Sequence, residues 1–387
     1  MEEEMEGVLT VPIADNIISP VGFTTEENVA AVEELRSGLR SCSGRCGLPF
    51  DFTASLLDRE RFADACAEEN IGDDYTFFEK MLILSVTRAM RGTGVDPASP
   101  RTLFVISTTK GNVSLLENPG EFPESRLPLS RAAWEVACRR FGCPNPPLVV
   151  SNACISGLCA CLAAHRSLQS GRYSHVIVAG ADEQSPFIVS GFQSFMAVSP
   201  EECRPFDKDR RGLNPGEAAA ALVFEARDSA EAVPGQWAAV RGAVRNDANH
   251  ISAPSRTGDG CRQALKYALG DFPPQKLAFL SLHGTATDYN DSMEGEAVAG
   301  AGLLDIPVVG FKGYYGHTMG AAGVLETILS MKAVDRGTVP ATRGFSTLGV
   351  RVPLSVSSSS RKMDRTAFIK ALSGFGGCNA AMLFQKM

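Results

Sequence analysis

Short apolar segments alternate with segments of helical periodicity along most of the chain. In the first part, strands are predicted over residues 102–107, 147–150, 175–180 and 219–225, and helices over residues 132–141 and 155–168. The alternation resumes later, with apolar segments at 237–244, 277–282, 307–311 and 380–386 and helices at 261–269 and 321–334. Strands that alternate with helices predict an α/β protein with mostly parallel, buried strands.

A polar, turn-forming segment divides the chain near residue 230. It reads DSAEAVPG at residues 228–235, a composition that is typical of a connection. The segments on its two sides follow a similar pattern, which indicates an internal duplication. We therefore expect two halves, residues 1–230 and residues 231–387.

The composition narrows the class of protein. Of 387 residues, 44% are hydrophobic and 21% are charged, as in ordinary globular proteins. No apolar run approaches the roughly 18 residues of a membrane helix, and the acidic start MEEEMEG does not resemble a signal peptide. The formal net charge of -7 argues against a nucleic-acid partner, which needs a broad basic face. We expect a cytoplasmic protein with neither membrane insertion nor nucleic-acid binding.

The chain has 11 cysteines. An odd number without an export signal favours reduced thiols over a disulfide framework. Two pairs, Cys42 with Cys46 and Cys138 with Cys143, have the spacing of half a zinc site, but no matched second pair follows either of them. We expect no metal. No nucleotide-binding loop is present, and we expect no cofactor.

Cys154 lies where a predicted strand turns into a predicted helix. A thiolate at a helix N-terminus is stabilised by free backbone N–H groups, so we expect a lowered pKa and a nucleophilic sulfur at this position. The alternative is a buried structural cysteine. That interpretation suits Cys159 and Cys161 better, because both lie inside the apolar helix.

Two of the five histidines stand out. His283 follows a predicted strand and begins the segment HGTAT, and His317 lies in the glycine-rich segment FKGYYGHTMGAAG that starts at residue 311. The ends of strands are where α/β enzymes place their chemistry. We expect His165 and His175 to be structural, and His250 is ambiguous.

Together these segments resemble the β-ketoacyl synthase family, the elongating condensing enzymes of fatty-acid and polyketide assembly. The motifs occur in the family's order: NAC at 152–154, RPFDKDRRG at 204–212, PGEA at 215–218, HGTAT at 283–287, KGYYGH at 312–317, GAAG at 320–323, and GFGG at 374–377 followed by Asn379. The resemblance covers most of the chain.

The resemblance implies a thiolase fold, a duplicated five-layer α-β-α-β-α architecture with mixed, mostly parallel sheets. Residues 1–230 would form the half that carries the nucleophile, and residues 231–387 the half that carries both histidines. It also implies a homodimer, with a heterodimer formed with a related subunit as the alternative. The chain has no carrier-protein serine motif, so a separate acyl carrier protein would bear the acyl and malonyl groups.

The resemblance also assigns roles to residues. Cys154 would be the nucleophile, His283 and His317 the paired histidines, Lys312 the active-site lysine, and Glu326 the acid that orders it. Backbone N–H groups of Cys154 and Phe375 would form an oxyanion hole. The residues expected to bind substrate or its pantetheine arm are Thr285, Thr287, Phe192 and Lys110.

Several positions depart from the family's pattern. They are Asn152 before the nucleophile, Lys110 near the end of the acyl pocket, Met196, Ser373, and the pair Tyr314 and Tyr315. A lysine and tyrosines near the pocket favour a specialised polyketide or polyene-type synthase over the housekeeping fatty-acid enzyme, unless Lys110 points to solvent or pairs across a dimer.

Other functions remain as alternatives. One is a non-catalytic partner subunit of the chain-length-factor type, against which the presence of Cys154 argues. A decarboxylase or acyl hydrolase with the same site is another. Cys378 suggests a thiolase with a second catalytic cysteine, but we interpret it as structural.

Overall fold

The computed structural model describes residues 7–42, 48–251 and 253–387. Within these residues the β-strands are β1 Val8–Ile18, β2 Leu39–Ser41, β3 Thr53–Ser55, β4 Thr102–Ser107, β5 Leu148–Val150, β6 His175–Asp182, β7 Ala218–Asp228, β8 Trp237–Asn246, β9 Leu277–Ser281, β10 Pro307–Val309, β11 Thr338–Val339, β12 Ser355–Val356, β13 Arg361–Lys362, β14 Ala367–Gly374 and β15 Cys378–Lys386.

The helices of the same residues are α1 Thr25–Glu33, α2 Arg59–Glu68, α3 Phe77–Ala89, α4 Leu129–Trp134, α5 Ser156–Gln169, α6 Pro186–Ser194, α7 Asp259–Leu269, α8 Asp288–Ala301, α9 Lys312–Tyr315 and α10 Ala322–Asp335. A π-helical segment, Glu135–Arg140, continues α4. None of the helices in the described part of the chain is both long and apolar enough to cross a membrane.

The strands form a mixed sheet with the order β12-β10-β9-β14-β15-β8-β1-β7-β6-β4-β5. Parallel pairs lie in the outer parts, from β12 to β14 and from β6 to β5. The central pairs are antiparallel. β1 meets β8 at a single residue pair, Thr10 with Ala239, so the sheet has two parts joined at one narrow contact.

Both faces of each part of the sheet are covered by helices. Val176 of β6 and Phe368 of β14 face a core built around α5 and α10. Their neighbours face outward, Ile177 of β6 into a core with α3 and Ile369 of β14 into a core with α7 and α8. Successive residues of a strand point to opposite faces. The central core therefore covers one face of each part of the sheet and the two outer cores cover the other faces, which gives five layers. This is the α-β-α-β-α arrangement of the thiolase fold.

Each predicted strand and helix is present in the structure, with end positions that differ by a few residues. The sequence analysis missed several further elements, among them β1, α3 and β14. In β1, Pro12 and the polar pair Asp15 and Asn16 interrupt the apolar pattern, yet the strand lies near the middle of the sheet. α3 is apolar on almost every side because it is buried.

Helices α5 and α10 cross in the central layer with their backbones in contact at Gly157 and Gly323. A Cβ atom on Gly323 would lie 2.1 Å from the Leu158 nitrogen and 2.5 Å from the Gly157 carbonyl carbon. These are backbone atoms within a helix, so they cannot yield as a flexible side chain would. Only glycine allows the two helices to approach this closely.

Replacing Gly323 with alanine should therefore lower the free energy of unfolding by about 3 kcal/mol, since the helices must separate to admit the methyl group. Urea unfolding followed by circular dichroism measures this change. The matched control is Gly295→Ala in α8, where the new Cβ would lie 3.5 Å from Val352. That variant should equal the wild type or gain up to about 1 kcal/mol. Equal midpoints for both variants would contradict the interpretation.

Candidate active site

Cys154 lies on a strained turn between β5 and α5. Ala153 has a positive φ of 45°, a backbone conformation that costs free energy for a residue with a Cβ. The Ser156 hydroxyl holds the turn, because it accepts the Asn152 N–H at 2.7 Å and donates to the Ala153 carbonyl at 2.6 Å. The turn places Cys154 in the wall of a cavity, directly before the first turn of α5.

Burial raises the pKa of the Cys154 thiol to about 11, although the Lys312 cation and the Phe375 N–H both act in the opposite direction. The prediction of a lowered pKa at this corner is therefore wrong, because desolvation of the thiolate exceeds its stabilisation. Burial also raises the pKa of Cys159 to about 11. Acidity does not distinguish the two thiols, but only Cys154 lines the cavity.

His283 and His317 face Cys154. Their rings are 5.0 Å apart at 81°, and one nitrogen of each ring lies within 4.8 Å of the other and of the Cys154 sulfur. The Met319 N–H donates to His317 Nδ1 at 3.3 Å, so in the neutral ring His317 Nε2 carries the hydrogen. Among the described residues, His317 Nε2 and His283 Nδ1 are buried without a partner.

Both imidazoles are held in the neutral form. Burial, followed by the charge of Lys312, lowers the pKa of His283 and of His317 well below the usual value. The two neutral rings can therefore donate N–H groups to an oxygen atom that lies between them and the sulfur. Such an oxygen would find donors already in position.

Carboxylates of α8 hold the loop that carries His283. Glu294 accepts the His283 N–H at 2.6 Å and the Gly284 N–H at 2.8 Å. Asp291 accepts the Ala286 N–H at 3.2 Å. These bonds stabilise the positive φ of Gly284 (51°) and Ala286 (62°). Sequence reasoning missed Glu294 and Asp291, although acids on the helix directly after HGTAT were a visible signal.

Two buried lysines share one buried glutamate behind the histidines. Lys312 Nζ lies 2.9 Å from Glu326 Oε1, and Lys370 Nζ lies 2.5 Å from Glu326 Oε2. The structure thus brings together Lys312 and Glu326, which the sequence had selected, and adds Lys370, which it had not. The signal was a single lysine within the apolar run AFIKALSG.

The cavity in front of these residues has a volume of about 320 Å³. Its wall includes seven residues that the sequence analysis selected: Cys154, Phe192, His283, Thr285, Thr287, His317 and Phe375. The Phe192 ring lies 6.1 Å from the His317 ring and 5.9 Å from the Phe375 ring. The hydroxyls of Thr285 and Thr287 are 2.9 Å apart. Exposed apolar side chains surround the entrance, namely Phe195, Met196 and Tyr289.

Lys110 lies outside this cavity. Its backbone N–H is held by Asp182 at 3.2 Å, and its ammonium is 3.4 Å from the Thr109 carbonyl. Lys110 is half-buried, and its charge is close enough to lower the pKa of Cys154. The structure therefore places Lys110 near Cys154 but not in the wall of the cavity.

Tyr314 and Tyr315 do not line the cavity. Both are buried, and their hydroxyls donate to backbone carbonyls of Ala341 and Asn28 at 2.9 and 3.1 Å. Their role is therefore packing. Cys378 lies beside the site, where its thiol donates to the Phe375 carbonyl at 3.2 Å.

The Cys-His-His group has the ligand types that a metal such as zinc uses. The charge of Lys312 acts on Cys154 and on both histidines, and a positive charge this close disfavours a second cation. Of the cysteine pairs with zinc-like spacing, Cys46 lies outside the described residues. Cys138 and Cys143 donate to the carbonyls of Asn145 and Thr102 instead.

Comparison with known proteins agrees with this geometry. A model of the beta-ketoacyl synthase N-terminal domain matches residues 68–230, and a model of the C-terminal domain matches residues 237–346. A 3-oxoacyl-[acyl-carrier-protein] synthase 2 of Synechocystis is 27% identical over 95% of this chain and 96% of its own length. A putative polyketide beta-ketoacyl synthase 1 of Streptomyces cyaneus is 32% identical over 66% of this chain and 64% of its own length.

A solved structure, the ishigamide ketosynthase/chain length factor, superposes with a TM-score of 0.86 and 26% identity, covering 98% of this chain and 100% of that one. The two domain models together match more than half of the chain. A cysteine and two neutral histidines thus converge in a chain that has the sequence and fold of a ketosynthase. This chain belongs to the β-ketoacyl synthase family.

Proposed function

We propose that this protein is a β-ketoacyl-[acyl-carrier-protein] synthase that joins an acyl group on Cys154 to a malonyl group with loss of carbon dioxide. The observation that carries the proposal is the pair of neutral imidazoles, each with one ring nitrogen within 4.8 Å of the Cys154 sulfur. Each ring also has a buried nitrogen without a hydrogen-bond partner. A non-catalytic partner subunit would have no use for this arrangement.

In the first step Cys154 takes the acyl group. Its sulfur attacks the carbonyl of the carrier thioester, the new C–S bond forms, and the carrier sulfur leaves with the proton that Cys154 gives up. The N–H groups of Cys154 and Phe375 would stabilise the tetrahedral oxyanion. The Phe375 N–H is close enough to the Cys154 sulfur to act against the rise of its pKa, which supports this role.

In the second step a malonyl thioester loses carbon dioxide. The electron pair of the broken C–C bond moves into an enolate, and its negative charge gathers on the thioester oxygen. The N–H groups of His283 and His317 would stabilise that oxygen, a contribution of about 3–4 kcal/mol for each donor. The enolate carbon then attacks the acyl-cysteine and releases the Cys154 thiolate.

The pantetheine arm would enter through the cavity. Thr285 and Thr287 present adjacent hydroxyls in its wall, and Phe192 packs beside His317. Lys312 forms a buried ion pair with Glu326, and its charge adds to the effect of burial in lowering the pKa of both imidazoles. Lys110 stays a predicted substrate-binding residue, supported only by its position near Cys154.

We infer that the product is a specialised polyketide or polyene-type chain rather than a housekeeping fatty acid. The similarity to a polyketide synthase and to the ishigamide ketosynthase/chain length factor supports this choice. The similarity to a 3-oxoacyl-[acyl-carrier-protein] synthase 2 favours the alternative, a fatty-acid elongation enzyme. Near the site, the charge of Lys110 is the feature that favours the specialised function.

Residues 1–230 and 231–387 would be the two thiolase-like halves. The narrow contact between β1 and β8 supports this division, as does the boundary between the two matched domain models. Cys154 belongs to the first half and both histidines belong to the second. The site would therefore form only where the halves meet.

The protein would act as a dimer with a separate acyl carrier protein as its substrate partner. β5 is the edge strand of the sheet, and exposed apolar side chains occur on or after the neighbouring strands, namely Leu116, Trp134, Leu148 and Phe187. Exposed edges and apolar side chains favour association. Light scattering of the purified chain should give twice the monomer mass, whereas a monomer would indicate that a related subunit completes a heterodimer.

The test of function is to incubate the protein with malonyl-carrier and a panel of acyl-carriers and to identify the product by mass spectrometry. A β-ketoacyl-carrier product supports a condensing enzyme. Free carbon dioxide or free acid without that product would indicate a decarboxylase or a hydrolase. Efficient turnover of long saturated chains would contradict the specialised pathway but not the reaction.

A further inference from the structure

Lys370 is a fully buried ammonium group with a complete set of partners. Its Nζ donates to Glu326 Oε2 at 2.5 Å, to the Ser281 carbonyl at 3.1 Å and to the Leu282 carbonyl at 3.3 Å. An ammonium group has three hydrogens, and here each has an acceptor. Burying a charge is costly unless it is paired and hydrogen-bonded. The three hydrogen bonds therefore hold the Lys370 ammonium group in this position.

The hydrogen-bond partners of Lys370 are connected to residues of the candidate active site. Leu282 directly precedes His283, so the carbonyls that Lys370 holds are those of the backbone that carries the histidine. The other carboxylate oxygen of Glu326 accepts a hydrogen bond from Lys312 Nζ at 2.9 Å. Lys370 thus contacts neither the cavity nor the reacting atoms, but it joins the support of His283 to the support of Lys312.

We propose that Lys370 is a positioning residue of the condensing site, which fixes the Glu326 carboxylate and the end of β9 and so places Lys312 and His283 against the cavity. The proposal rests on the proposed function, because it assigns Lys370 to the decarboxylation step. Without Lys370, Glu326 would be free to turn both oxygens toward Lys312, and the backbone before His283 would lose two hydrogen bonds.

The charge of Lys370 also acts on His283. It lowers the pKa of the imidazole, after burial, the charge of Lys312 and the influence of His317. The other charged or titratable groups around these two residues are Cys154, Asp291, Glu294 and Glu326. Removing the Lys370 cation should therefore raise the pKa of His283. A protonated His283 would form an ion pair with the malonyl carboxylate, which must leave as carbon dioxide, and would slow its loss. As the pH falls, the variant should therefore lose activity at a higher pH than the wild type does.

The experiment compares Lys370→Met with the wild type in two separate assays. Acylation of Cys154, followed by intact mass, should stay within about threefold, because Lys370 touches nothing that acylation uses. Malonyl decarboxylation should fall about tenfold at pH 7, and the acidic limb of its pH–rate profile should move upward by roughly 0.5–1 pH unit. A purely structural role would reduce both steps together and leave the limb in place.

Two further variants make the result decisive. Arg365→Gln removes a cation that holds the Leu277 carbonyl at the opposite end of β9, and it should leave both steps and the pH profile unchanged. Lys370→Gln keeps hydrogen-bond donors but removes the charge, and it should show the shifted limb with a smaller loss of rate. The proposal would be overturned if the acidic limb of the pH–rate profile were unshifted in both Lys370 variants, or if both variants failed to fold. Failure of the wild type to condense would instead overturn the proposed function.

Discussion

Cys154→Ala should show no mass gain when it is incubated with acyl-carrier thioesters, whereas the wild type should gain one acyl group. Alanine removes the sulfur but keeps the Cβ, so the turn at Ala153 and the start of α5 remain. Condensation should fall by about 10⁴-fold or more, as expected when a covalent nucleophile is lost. Intact-protein mass spectrometry and product formation measure the two effects.

The matched control is Cys159→Ala. The pKa of Cys159 is raised by burial to about 11, as is that of Cys154, but Cys159 lies inside α5 and does not line the cavity. Its replacement should leave acylation intact. If acylation persisted in Cys154→Ala and disappeared in Cys159→Ala, the nucleophile would be Cys159 and the proposed mechanism would be wrong.

His317→Ala should slow malonyl decarboxylation by about 10²–10³-fold while acylation of Cys154 changes only a few-fold. The reason is geometric. The Met319 N–H occupies Nδ1, so the free Nε2–H is the donor that remains for an enolate oxygen. Alanine leaves no donor there. Release of carbon dioxide from malonyl-carrier, measured apart from acyl loading, separates the two steps.

A histidine outside the site provides the control. His175 begins β6, where its nearest charged neighbour is Glu225 at 3.7 Å, and His175→Ala should decarboxylate malonyl-carrier at the wild-type rate. If His317→Ala lost acylation and decarboxylation to the same extent, His317 would act in loading as well. The division of labour between the cysteine and the histidine pair would then be wrong.

The sequence indicated the proposed nucleophile and histidine pair because each of these residues lies in a recognisable motif. Cys154 lies at a strand-to-helix corner, His283 follows the end of β9, and His317 follows α9 in a glycine-rich segment. These features are local in the chain, so the pattern of residues predicts them. The alternation of strands and helices predicted the α/β class without any tertiary contact, whereas the five-layer arrangement was predicted only from the resemblance to the β-ketoacyl synthase family.

The features that the sequence analysis missed or misjudged depend on long-range contacts. Lys370 pairs with Glu326, which is 44 positions away in the chain, and no local pattern indicates that pairing. The pKa of Cys154 depends on how much protein covers the sulfur, which opposes the effect of the helix terminus. Similarly, whether Tyr314 faces the pocket or the core depends on its partner at Ala341.

The crossing of α5 and α10 sets a condition on hybrid enzymes. Gly157 lies within residues 1–230 and Gly323 within residues 231–387, the two proposed halves, and neither position has room for a Cβ. A chimera that joins residues 1–230 of this chain to the second half of a relative will assemble only if the incoming helix also presents glycine at the crossing. In a chimera, α5 and α10 should therefore be exchanged together, with the glycines that allow their close packing.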